Sequence, residues 1–539
     1  MDQRAVSEGA PNRGSWRLKA PHDVLTQGLV VSGFGSLPTG RALFLQFTWD
    51  GVGTGAWLDT LATVAPVTDA DGRDARATAL SFAYTGLRKM GLSPAALATF
   101  AAPFREGMLQ EDRLRRIGDR RNGEWLGTVI EGGPKWSANT PRRGALAEVE
   151  AGQSAALTAT GHREEQITTP ITVHALLLLY DADENSAEKW AEEVEARLAP
   201  HQIKVVHKLP LDLRPDERGV AREHFGFADG ISQPMPYDDA AIVLSDGSAA
   251  PRDKWNGVPL GEILLGHING HHERAPGPIL PDDPGGKGKA AGLPPHPLAE
   301  GGLDLGLDGS YMVVRELKQD VVAFWQSMRE NAAHIRARDP DHSAHVSTTW
   351  LAERVVGRNT HGDLLCPAGY LPRAPGDQPD NDFAFWDRDQ HGAGCPAGSH
   401  VRRANPRDGL APSVDQKQTL LDAANNHRIL RRGRKYGATI SVPPKEDGVD
   451  RGLLFICLNT DIARQFEFVQ QTWLLNPNFA TLFDETDPLI GPKGTMTVRD
   501  QPLRRRIEVD TFVRMVGGDY FFLPSMPALK YLATLGSAA

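Results

Sequence analysis

Between Ile171 and Leu211 the chain passes from ITVHALLLLYDA through a polar stretch ending at Leu198 into IKVVHKLPL. Both apolar runs have the length and composition of buried strands. Asn185 and Glu188 stand at capping-box spacing, so a helix is expected from there through Leu198. Strand, helix, strand is a strong constraint, because the helix must lie across the sheet that its two strands enter. Upstream, QGLVVSGFGSL and RALFLQFTW read as two strands joined by a Leu-Pro-Thr-Gly turn. AWLDTLATV has helical spacing, with Trp57, Leu58, Leu61 and Val64 on one stripe. Residues 77–84 read as a further strand, and Ser93-Pro94 as a helix start. No periodic pattern stands out from Ala101 to about Glu165.

The second half repeats the theme. SYMVVREL, residues 310–317, is a strand running into a helix with Val321, Phe324, Trp325 and Met328 at i, i+3, i+4, i+7. GLLFICLNT follows as a strand and DIARQFEFVQQTW as a helix, with Ile462, Phe466, Val469 and Trp473 on its apolar stripe. FVRMVGGDYFFL is the closing strand, before a short helix from Pro527. The fold class is therefore α+β, two ferredoxin-like halves each with a sheet covered by helices. The expected division is an N-terminal domain over 1–240, a Pro/Gly-rich connecting insertion over 241–309, and a C-terminal domain over 310–539 with a long loop at 358–415. A chain of 539 residues exceeds one ordinary core and agrees with this division.

Charge and cysteine content exclude several classes. A net charge of −9 lacks the basic face that general nucleic-acid binding needs. Cys366, Cys395 and Cys457 can form neither a disulfide framework nor a CxxC metal site. No window reaches 18 uninterrupted apolar residues, so no membrane span is expected. The first twenty residues carry no apolar signal core, and the cytoplasm is the expected compartment.

Two stretches carry candidate chemistry. From Cys395 to Gly437, His400 precedes Arg402, Arg403 and Arg407, and a second cationic cluster follows at Arg428, Arg431, Arg432 and Arg434. Arginine forks match planar anions, and a histidine beside them is a potential metal ligand. Taken alone, a histidine such as His400 is more often a surface or internally satisfied residue than a ligand. In EHFGFADGISQPMP, Gly226 and Gly230 bracket Asp229, which suits the approach of a bulky flat group, although the motif alone more often marks an Asx-type turn at a sheet end. HINGHH at 267–272 has no carboxylate or cysteine at helical or turn spacing and reads as a solvated loop. RRR at 504–506 reads as an exposed charge run. No phosphate loop and no GxGxxG between strand and helix is present.

In their order, GFADG, SHVRRANPRD, HRILRRGRKYG and GLLFICLNTD resemble the dye-decolorizing peroxidase family. TQGLVVSGFGSLP, GEILLGHINGHHE and GSYMVVRELKQDVVAFW are similar to family segments too, so the resemblance runs from about residue 25 to 535. It implies two ferredoxin-like halves with antiparallel sheets and peripheral helices, related to the dimeric α/β barrels, with haem b in the second half. By motif, His400 would be the proximal iron ligand, Asp229 the distal acid and Arg431 the distal arginine, with Arg432 as the alternative register. Asp461 falls where the family has an acid bonded to the proximal histidine. Leu453 and Phe455 match apolar positions of the distal face, and Arg402, Arg403 and Arg407 are candidates for the haem propionates. The implied activity is reduction of H2O2 with oxidation of dyes, phenols and other small aromatic reductants by one-electron steps through a ferryl intermediate. A haem-storage or haem-modifying role shares every haem contact and is the alternative. Tyr436 and Trp386 are the two candidates singled out for electron transfer at the surface. Insertions at 274–302 and 358–395 place the chain nearest the larger, C-type branch. No nucleic acid or membrane partner is expected, and a homo-oligomer is left open.

Overall fold

The computed structural model describes residues 16–72, 75–138, 167, 169–216, 220–238, 240–244, 247–248, 250, 252–281, 290, 292–374, 377, 379–441 and 443–536. The N-terminal and last residues, and 282–289 and 291 of the Pro/Gly-rich stretch, fall outside them. The first half contributes β1 (Thr39–Phe47), α1 (Trp57–Val64), β2 (Arg76–Phe82), β3 (Ala175–Asp181), α2 (Glu184–Leu198) and β4 (Ile203–Asp212). From the second half come β5 (Ser310–Gln319), α3 (Val321–Arg338), α4 (Thr348–Val356), α5 (His400–Ala404), β6 (Arg434–Tyr436), β7 (Gly452–Asn459) and β8 (Val513–Leu523).

Pairing within the first half runs β4-β1-β3-β2, and within the second β8-β5-β7-β6. Both are the antiparallel ferredoxin-like order, with outer strands added last and second. The halves join at two seams, Lys435 opposite Asp212 and Phe522 opposite Phe82, which close all eight strands into one barrel. Closure leaves these strands without free edges.

Strand alternation divides the core. Leu176, Leu178 and Tyr180 of β3 pack inside the barrel with Ala42, Phe44, Met312, Leu454 and Ile456. Leu177 and Leu179 face outward, against a layer that includes Trp57, Trp190 and Val194 of α1 and α2. Every residue of β3 is buried, which explains its continuous apolar run.

Four local expectations are corrected. The stretch 27–38 is a chain of turns and not a strand. Its carbonyls at Leu29, Val30, Gly33, Phe34 and Leu37 accept from the guanidinium groups of Arg432 and Arg434. The N-cap of α2 is Asp183, whose carboxylate accepts from Ser186 N–H, two residues before the expected start. The stripe at 462–473 is buried as expected, yet its turns are π-helical, with Glu467 N–H donating to Ile462 O at 2.9 Å. Arg505 is buried against Asp500 and Asp339, so the basic run is not wholly exposed.

His174, just before β3, is a buried neutral group. Its Nδ1 accepts from Phe47 N–H at 2.9 Å, and Nε2 has no partner among the described residues. Burial pushes its pKa down to about 3. In the unfolded chain it would protonate near 6.5, so its contribution is full above that pH and is lost as pH falls toward 3. Between pH 7 and pH 5 the loss is about 2 kcal/mol. His174→Asn keeps an acceptor for Phe47 and removes the titration. Relative to the parent, its unfolding free energy should improve by about 2 kcal/mol between those two pH values. Urea unfolding at both pH values measures this, and a pH-independent difference would refute it.

Candidate active site

A cavity of about 440 Å³ lies on the outer face of β7. Leu453 and Phe455 project into it, while Leu454 and Ile456 pack inside the barrel. Its walls are mostly apolar, with Val401, Phe466, Val469, Leu475 and Ile490 among them.

His400 opens α5 and forms part of the wall, as do Val401 and Ala404. The preceding Ser399 donates its hydroxyl to Arg354 O at 2.6 Å, fixing where the helix begins. His400 Nδ1 lies 3.0 Å from Asp487 Oδ2. The other oxygen of Asp487 accepts from Leu489 and Ile490 N–H at 2.9 and 3.0 Å. Burial alone would disfavour a charged imidazole, but the charge and hydrogen bond of Asp487 outweigh it and raise the His400 pKa. Burial likewise opposes ionisation of Asp487, and the charge and hydrogen bond of His400 together with the backbone N–H groups lower its pKa. With Nδ1 so engaged, Nε2 remains, and no partner for it occurs among the described residues.

The expected partner of His400 was Asp461, and this is corrected. Asp461 caps the following turn, accepting from Arg464 N–H at 3.0 Å, and does not line the cavity. Asp487 sits in an irregular stretch 87 residues after His400, where periodicity carries no signal. The one legible cue is Asp487-Pro488, an acid placed to cap a turn.

Asp229 and Arg431 meet on the same wall, Nη1 to Oδ1 at 3.1 Å. Gly226 and Gly230 have φ of 97° and 79°, so the turn carrying Asp229 needs both glycines. Phe225 and Phe227 anchor the turn, their rings 4.6 and 6.5 Å from that of Phe324 on α3. Gln233 clamps Arg431 at both backbone groups, accepting from its N–H at 3.0 Å and donating to its C=O at 3.2 Å. The adjacent Arg432 spends its guanidinium on Leu29 and Val30 carbonyls, so Arg431 is the member of the doublet that reaches Asp229. Both charges act on His400, which brings all three groups into one electrostatic unit.

The arginines expected to meet an anion are also corrected. Arg402 donates to carbonyls of Asp389 and Cys395, and Arg403 to those of Trp473, Leu474 and Asn476. Arg407 donates to Asn256 and Asn381. None of the three lines the cavity; each guanidinium satisfies backbone or amide acceptors in the surrounding loops. Arg315, Arg358 and Arg428 line it instead. Arg428 Nη2 and Arg315 Nη1 are buried donors without a partner among the described residues. Glu223 also faces the cavity, accepting from Phe225 and Phe227 N–H and from Gln319. Burial outweighs those bonds and raises its pKa to about 7. Tyr436 is only 4% exposed and so is not a surface electron-transfer residue. Trp386 is half-buried.

No family model matches the chain. The multifunctional dye peroxidase DyP2 of Amycolatopsis sp. is 29% identical over 436 residues, covering 76% of this chain and 79% of that protein. Dye-decolorizing peroxidase msp1 of Mycetinis scorodonius is 28% identical over 393 residues, 67% of this chain and 66% of its own length. The crystal structure of a DyP-type peroxidase from Anabaena sp. superposes with a TM-score of 0.65 over 96% of this chain and 95% of that one, at 22% identity. At that identity the structural likeness bears on the fold.

Proposed function

The chain belongs to the dye-decolorizing peroxidase family, and from its site we propose that it holds haem b on His400, reduces hydrogen peroxide, and oxidises dyes, phenols and other small aromatic reductants. The observation that carries this reading is the convergence of the His400–Asp487 and Asp229–Arg431 pairs on one apolar cavity.

The residues present fit a haem. Apolar walls suit the macrocycle, and His400 has a nitrogen left for iron. The unpartnered donors of Arg428 and Arg315 suit the propionates, whose oxygens would satisfy them. Haem, when bound, supplies the centre that accepts oxidising equivalents from peroxide and returns them singly to reductants.

The chain's own groups do the rest. Asp487 fixes the ring of His400 and makes it a stronger donor. Asp229 would accept a proton from hydrogen peroxide and return it to the oxygen that leaves as water. Arg431 orients the peroxide and stabilises the anion that develops as its proton departs. Leu453 and Phe455 keep water from the pocket, which strengthens both charges.

The test is an absorbance spectrum of the purified protein, before and after one equivalent of H2O2. A Soret band that shifts on addition is expected, and failure of haem reconstitution to give any Soret band would reject the reading. Storage or modification of haem is not favoured, because the relatives matched over two thirds or more of this chain are named as peroxidases. Asp487→Asn should weaken haem binding about 10- to 100-fold, the usual effect of removing a supporting carboxylate. Haem transfer to a scavenger protein measures this, and an unchanged rate would remove Asp487 from its assigned role.

A further inference from the structure

Outside the cavity, three residues far apart in sequence bring ligand atoms together. His22, in the short helix His22–Leu25, holds Nδ1 at 2.9 Å from both carboxylate oxygens of Asp308. His267 brings Nε2 to 2.7 Å from Asp308 Oδ1. All three ligand atoms lie within 4.8 Å of one another. None of these residues lines the haem cavity. The reading of HINGHH as merely solvated loop is thereby corrected for its first histidine, whose carboxylate partner stands 41 residues away.

The simplest account is a carboxylate accepting two imidazole N–H groups. Three details go beyond it. Asp308 is held with φ of 59°, in the left-handed region that few non-glycine residues adopt, on the turn that opens β5. Its side chain is 1% exposed, whereas those of His22 and His267 are 24% and 10% exposed. A buried anion is thus reached from solvent through two partly covered imidazoles. Asp23 and Asp238 also lie near enough for their charges to act on His22. Two imidazole nitrogens and one carboxylate oxygen are the three-ligand set of open divalent sites, with water in the remaining positions. Magnesium and calcium prefer all-oxygen shells, so the nitrogens select a first-row transition ion.

We propose that His22, His267 and Asp308 bind one divalent first-row transition cation, with Zn²⁺ as the ion the set fits. Each imidazole ligates in its neutral form, the nitrogen that faced Asp308 giving its lone pair to the ion while the ring proton sits on the other nitrogen; a proton passes to solvent only from a ring that was charged beforehand. The ion would pin a segment near the chain start to the turn before β5, a link across 286 positions of sequence.

Isothermal titration of the haem-loaded full chain with ZnCl2, and with MgCl2 as the control, tests this. One saturable zinc site is expected with no comparable magnesium binding. His22→Asn and His267→Gln should each weaken it tenfold or more and leave the Soret band unchanged. Because His22 is partly exposed and its replacement leaves the His267–Asp308 bond in place, that variant is the one least disturbing to the fold. Zinc-edge anomalous scattering from soaked crystals gives a measurement independent of any variant, with a peak expected among the three residues. Absence of a saturable zinc site, binding indifferent to both substitutions, or an anomalous peak only elsewhere would each overturn the proposal.

Discussion

Asp229→Asn should slow reaction with peroxide by about 10²- to 10⁴-fold, the range for losing a positioned general acid–base, while the Soret band of the resting protein remains. Asparagine preserves the size of the side chain and an oxygen to accept from Gly230 N–H, a bond of 2.6 Å in the parent. What it removes is a basic oxygen at the cavity wall, so the change isolates proton transfer from shape. Stopped-flow mixing with H2O2 measures the rate. Unchanged turnover would remove Asp229 from proton transfer and leave that role to water. Haem loss in this variant would instead mean that Asp229 is part of the binding surface.

Arg431→Ala should cost about 10²- to 10³-fold in kcat/KM for H2O2, roughly 3–4 kcal/mol, as for other donors aimed at developing negative charge. Arg431→Lys keeps a charge and loses the fork, so its rate should fall between alanine and the parent. The two side chains touch at 3.1 Å, so their effects should not multiply. A double variant no slower than Asp229→Asn alone would show one unit acting on one proton. Full multiplication of the two effects would contradict the shared role.

Much of this architecture was legible because its elements are periodic. Leu176 to Leu179 could be assigned to a buried strand without tertiary information, since both faces are covered. Closure into a single barrel was legible only through the resemblance to the dimeric α/β barrels and not from periodicity, because the seams rest on the lone residue pairs Lys435–Asp212 and Phe522–Phe82. The turns at 27–38 misled for a related reason. LVVSGF has strand composition, but its carbonyls serve arginines some 400 positions away rather than a neighbouring strand. At the site, motif order singled out His400, Asp229 and Arg431, which the fold brings to one cavity, and alternation along β7 accounts for Leu453 and Phe455 facing it. Proximity to His400 misassigned Arg402 and Arg403, because α5 turns only part of its surface to the cavity, and Arg407, which lies in the turn beyond that helix. Arg428, Arg315 and Asp487 come from separate segments, and only folding makes them neighbours.

The carbonyl bonds of Arg432 and Arg434 bear on how this molecule can be divided. They fasten the strand beside Arg431 to residues 29–39 of the other half, and Gln233 holds Arg431 itself from outside that strand. The ferredoxin-like halves are architectural repeats without being functional modules. A fragment starting at β5 would retain His400 and Arg431 but would leave behind Asp229, Gln233 and the carbonyl moorings. Grafting the second half onto a foreign partner would therefore carry the proposed iron ligand without the residues proposed to handle the peroxide proton.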